Sequence, residues 1–191
     1  MYLRTCFVAG LLLFLSACAA PSGSPHQSVA TAPNAGPSVD WDHPLEGSVA
    51  VASIDQARGS LSFDPRQPEG LGTPLSIFVS ASSRVPEPRH RGLAFVYDLP
   101  DYGRAVVAET LLQISVADWE RNIDSDVSRN GLRGVPTTAE RVTVRGGASA
   151  LLLTDATTGR SAIEWVEGTV KFVIMGPALT RSACLELAER V

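Results

Sequence analysis

Residues able to act as nucleophiles, acid–base groups or metal ligands are few and scattered in this 191-residue chain. Histidines stand at 26, 43 and 90, and cysteines at 6, 18 and 184. A metal centre needs several His, Cys or carboxylate ligands at short spacings, and His26, His43 and His90 are each isolated. Neither a Gly-x-Ser-x-Gly elbow nor a Gly-x-x-x-x-Gly-Lys-Ser/Thr phosphate cradle occurs. Asp124 and Asp126 are two apart in a stretch of helical period. Their carboxyls then point to different sides, so solvation is expected rather than paired acid–base work. Cys184 shares a stripe with Leu187, Ala188 and Val191 and reads as a small buried hydrophobe. Arg84, Arg89 and Arg91 crowd one loop with His90. Such a cluster could hold an anionic headgroup or a partner surface, although a solvated loop tip is its commoner fate. The expectation is no enzyme, no metal and no cofactor.

Cys18 is the residue with defined chemistry, and the segment before it supplies the reason. A short head with one basic residue, Arg4, precedes an apolar run, Phe7 to Leu15, and then small residues. That order marks a secretory signal peptide. The run from Cys6 to Ala20 falls short of the roughly 20 apolar residues that a membrane-spanning helix needs. Leu15-Ser16-Ala17-Cys18 resembles the lipobox of bacterial lipoproteins. The resemblance implies a diacylglyceryl thioether on Cys18, cleavage before it and acylation of the new amino end. Residues 1–17 are then the signal peptide, and the membrane is a partner through lipid on Cys18. An ordinary signal peptide cut after Ala17, Ala19 or Ala20 is the rival reading. Two or three acyl chains, at about 0.8 kcal/mol per buried methylene, anchor a protein stably. The expected place is the extracytoplasmic face of the cell membrane, or an outer membrane in a host with two.

Without residues 1–17, which carry one basic and no acidic residue, the chain keeps 15 basic and 20 acidic residues, net −5. That balance argues against nucleic acid as a partner, which selects a basic surface. Once Cys6 is removed and Cys18 lipidated, Cys184 has no internal cysteine to bond. The fold must then rest on its own core.

The elements follow in order. Residues 18–46 are rich in Pro, Ser, Gly and Ala, a composition that cannot repay its ordering entropy, and are predicted as a disordered tether. Trp41, near its end, either docks on the domain or stays exposed, docking being the commoner fate. Residues 47–191 are predicted as a single α+β domain: an antiparallel sheet of several hairpins with helices packed on one face. Ser53 caps a short helix, Leu61 and Phe63 form a short strand, and 76–80 forms a second. Strands at 93–99 and 105–114 flank the turn 100–103. Val116, Trp119, Ile123 and Val127 recur at helical steps within 115–129. Strands at 141–145, 150–154, 161–166 and 169–175 follow, and Thr180 caps a last helix. With Glu167-Gly168 as a two-residue hairpin loop, Trp165 faces Val170, Ile163 faces Phe172 and Glu164 faces Lys171.

Phe63-Asp64-Pro65 followed by Pro68-Glu69-Gly70-Leu71 resembles the opening of a bacterial extracytoplasmic domain family of unknown function. Trp165, Gly168, Phe172-Val173-Ile174, Thr180 and Leu187-Ala188 are similar to its closing motif, and Gln67 departs from its usual leucine. The family looks distantly like the half-barrel carriers of lipoproteins and glycolipids, and it brings no catalytic residues. Two functions are expected. The first is a non-enzymatic interaction or sensory module at the cell envelope, whose partner is an envelope protein, a wall component or a lipid. The alternative is a carrier that holds an apolar ligand, a lipid or acyl chain, in a curved sheet.

Overall fold

The computed structural model describes residues 40–45, 47–80, 91–132 and 136–191. Most of the predicted tether, the signal segment and residues 84–90 lie outside them. Three helices start at side-chain caps, where a hydroxyl accepts an otherwise unpaired N–H. Ser53 accepts from Gln56 ahead of α1 (Ile54–Ser60). Ser115 accepts from Asp118 ahead of α2 (Val116–Ser128), and Thr180 from Ala183 ahead of α3 (Arg181–Ala188).

Among the described residues, eight strands form one sheet: β1 (Ser48–Val51), β2 (Ser76–Ser80), β3 (Gly92–Leu99), β4 (Gly103–Leu111), β5 (Thr137–Val144), β6 (Ala148–Asp155), β7 (Ser161–Glu167) and β8 (Val170–Met175). Their order is β1-β2-β3-β4-β8-β7-β6-β5, with every neighbour antiparallel. Two four-stranded meanders thus meet at β4 and β8, and α2 carries the chain from the centre to the far edge. The architecture is a mostly-sheet α+β fold of antiparallel hairpins. β1 was not expected, and of the strand predicted at Leu61 and Phe63 only a single bridge at Leu61 forms.

The helices do not share one face. On β5, Glu140 accepts from Arg181 of α3, while its neighbour Arg141 donates to Glu120 and Asp124 of α2. Successive strand residues point to opposite faces, so α2 and α3 cover opposite sides of the sheet. One face packs Phe95, Val107, Leu152, Ile163, Trp165, Phe172 and Ile174 against α1 and α3. The other packs Ala139, Leu151 and Leu153 against Trp119 and Ile123 of α2. The cause lies in the strands: Val106-Val107-Ala108, Leu151-Leu152-Leu153 and Val173-Ile174-Met175 are apolar on both faces and need cover on both.

On the α2 face, the half formed by Phe78, Ala94, Val96, Val106 and Val173 is met by Trp41 and Leu45. The Arg104 guanidinium lies 5.6 Å from the Trp41 ring centre. Trp41 therefore docks, and packing begins before residue 47.

The last hairpin also differs from expectation. Its turn is Gly168-Thr169, with Gly168 at φ 61°, and Trp165 stands opposite Phe172, Ile163 opposite Ile174 and Glu164 opposite Val173. The register moved by two residues, which preserves the face of every side chain. Trp165 stacks on Phe172 at 5.2 Å, and Lys171 reaches Glu164 on the diagonal at 3.1 Å.

Candidate functional site

Across the α1/α3 face, one row of directly opposed residues runs Val79, Leu93, Glu109, Phe172, Trp165, Ala150 and Val142. Glu109 is its one polar member and has no solvent exposure. The segment 62–75, between α1 and β2, lies over it. The Arg66 backbone N–H donates to Glu109 Oε2 at 3.0 Å. Among the described residues, Glu109 Oε1 and the Tyr97 hydroxyl are buried without hydrogen-bond partners. Burial pushes the Glu109 carboxyl up to about 7, with smaller upward pushes from Asp64 and Glu167 that Arg66 opposes. Burial, and then the Glu109 carboxyl, raises the Tyr97 phenol. Lone buried acids of this kind are unusual, because desolvation penalises the charged form.

Beside this row sits a charged cluster. Arg66 stacks over Phe172, 5.4 Å from the ring centre, and forms an ion pair with Glu167. Glu167 Oε1 also accepts from the Trp165 indole at 2.9 Å and meets Arg145 Nε at 3.0 Å. Arg145 is a non-glycine residue at φ 48°, and its own N–H donates to Glu189 at 2.8 Å. Burial alone would raise the Glu167 carboxyl, but the indole and the two arginines outweigh it and hold it below the usual range. Glu167 is therefore an anchoring carboxylate, and Glu109 a carboxyl poised near neutrality. Two acids with separated proton affinities are the pattern an acid–base site would use. Here the poised one is sealed from solvent, so no substrate reaches it in this conformation.

The residues singled out by sequence fall elsewhere. Cys18, Arg84 and Arg89 lie outside the described residues. Arg91 is half-buried just before β3; its N–H donates to the Ser80 carbonyl and its carbonyl accepts from the Leu111 N–H. Arg91 is thus built into the sheet edge of its loop. Asp124 accepts from Arg141 at 2.8 Å and Asp126 pairs with Arg129, so each carboxylate has its own arginine. Cys184 is fully buried, and burial pushes its thiol up to about 12. Among the described residues, no three metal-ligating side chains converge, and no helix is long and apolar enough to cross a membrane.

Sequence reasoning missed Glu109. The signal was present: a lone acid in Ala105-Val106-Val107-Ala108-Glu109-Thr110-Leu111, a strand apolar on both faces. No family model, no curated protein and no solved structure matches the chain.

Proposed function

We propose that this chain is a membrane-anchored extracytoplasmic lipoprotein whose α+β domain is a non-enzymatic interaction or sensory module at the cell envelope. Leu15-Ser16-Ala17-Cys18 supports the anchor, with lipid on Cys18. The observation that carries the non-enzymatic reading is closure. Among the described residues, the groups with the most displaced proton affinities, Glu109, Tyr97 and Cys184, have no solvent exposure. The resemblance to extracytoplasmic domains supports a module outside the cytoplasm, whose partner is an envelope protein, a wall component or a lipid.

The carrier alternative requires room for an acyl chain along the sheet. Phe95, Tyr97, Trp165, Leu93 and Val107 on the α1/α3 face have no exposed surface at all. A ligand-sized cavity of roughly 300 Å³ beside them would leave some of that surface accessible. The row is filled by the protein's own side chains, and the module reading takes precedence.

The anchor is tested by Cys18→Ala in the native host. The variant should leave the membrane fraction for the periplasm or culture fluid; retention in the membrane overturns lipid anchoring. The module reading is tested by cross-linking and pull-down from envelope extracts, together with mass spectrometry of organic extracts from the purified chain. A stoichiometric bound lipid would favour the carrier.

A further inference from the structure

We propose that the segment 62–75 is a latch, held shut over the α1/α3 face by a proton on Glu109 and released as pH rises. The inference goes beyond the module reading and stands on the fold alone, so it survives if the anchor or the partner is otherwise. The latch is held by buried Pro65, Pro68 and Leu71, by Arg66, and at its far end by the Leu75 N–H, which donates to the Val96 carbonyl at 2.7 Å. Arg66 donates its N–H to Glu109, covers Phe172 and pairs with Glu167. Leu71 is buried in the core of the α1/α3 face, and Phe63 packs against that core. Its second half carries Gly70 at φ 74° and Gly72 at φ 80°, both with open space where a side chain would stand. Such residues let the backbone swing with little steric penalty.

Shut, the latch leaves Glu109 Oε1 buried with no partner. A neutral carboxyl tolerates that far better than a carboxylate, whose desolvation one amide N–H offsets only in part. Swinging the latch away would let water reach the carboxylate. The charged and titratable groups around it are Arg66 and Asp64 on the latch, Tyr97 on β3 and Glu167 at the end of β7. Beyond these, Arg58 of α1 is paired with Asp55 and Asp64, and Arg145 with Glu167. No histidine is among these groups, so a transition near neutrality belongs to Glu109.

The closed form keeps its proton up to about pH 7, whereas an exposed glutamate loses it near 4.5. Opening therefore releases a proton between those limits. The open population then grows about tenfold per pH unit in that window, up to about 300-fold in all, and levels off above it. Local opening of this kind is read by amide hydrogen exchange.

The experiment is hydrogen exchange with mass spectrometry on the full chain in detergent at pH 5 and pH 8, corrected for intrinsic exchange. Amides of 62–75 should lose about 100-fold of protection from pH 5 to pH 8, while those of β3 and β7 keep theirs. In Glu109→Gln the segment should be equally protected at both values. Unchanged protection of 62–75 in the wild type overturns the latch. Uniform loss across the sheet does so too, because it shows global unfolding, and this arm needs no variant. A Glu109→Gln protein that keeps the wild-type pH dependence assigns the proton elsewhere and overturns the proposal.

Discussion

Glu109→Gln should make the protein more stable at pH 8 and leave it unchanged at pH 4. Glutamine keeps the size of the side chain and the acceptor for the Arg66 N–H, and removes only the titration. In the folded protein the carboxyl titrates at about 7, against 4.5 for an ordinary glutamate. Below pH 4.5 both folded and unfolded chains hold the proton, and the site costs nothing. Between 4.5 and 7 the unfolded chain has released it and the folded one has not, so wild-type stability falls as pH rises. Above 7 the loss is complete. At about 1.36 kcal/mol per pKa unit, the displacement corresponds to about 3 kcal/mol. That is a large share of the 5–15 kcal/mol typical of a domain. Urea unfolding at pH 4, 6 and 8 measures it: the variant should match the wild type at pH 4 and exceed it at pH 8 by up to about 3 kcal/mol, the upper limit being reached if the latch stayed shut. A difference between the two proteins that does not change with pH, or a wild type more stable at pH 8, refutes the reasoning.

Other outcomes follow from the same packing. Lys171 is the chain's one lysine and pairs with Glu164 at 3.1 Å, each side chain 13% exposed. Lys171→Met should cost about 2–3 kcal/mol by stranding the carboxylate, and Glu164→Gln/Lys171→Met should recover most of it in urea unfolding. Cys184, with its thiol at about 12, should resist alkylation in native protein at pH 8 and react once denatured, as read by peptide mapping. Gly131→Ala would place a Cβ 1.9 Å from the Thr137 carbonyl oxygen at φ 140°. It should destabilise by more than about 2 kcal/mol in thermal melts, since both the clash and the backbone conformation oppose it.

Local signals were the legible part of this sequence. Ser53 and Thr180 as caps, the α2 stripe and the turns at 100–103, 146–147 and 157–159 all depend on neighbours in the chain. What depended on distant partners was less legible. The Gly168 turn was found one residue early, and the pairing slipped by two, because both registers put Trp165 and Phe172 on one face and Glu164 and Lys171 on the other. Face patterning excludes odd slips and is blind to even ones. Strands that are apolar on both sides show no period-two alternation, so their sequence does not say which face a helix covers. β1 is four residues long and borrows its order from β2, so its own sequence carries little signal.

The same two-sided apolar character explains why one acid matters so much. In a sheet with one wet face, a glutamate at position 109 could turn to water by exchanging faces with a neighbour. Here the α1/α3 face holds Leu93 and Phe172 on either side of it, and the other face buries Ala108. The side chain is left to meet the Arg66 N–H of the covering segment. An arginine clamp then fixes that segment, pairing with Glu167 beside the row and covering the Phe172 ring within it. If Glu109 were only a buried imperfection, replacing Arg66 with Ala would weaken the cover by similar amounts at all pH values. If proton and clamp act on one element, Arg66→Ala should loosen 62–75 in hydrogen exchange at pH 5 and add little at pH 8, where the latch is already released. The two losses are then less than additive, as expected of residues that share a single opening.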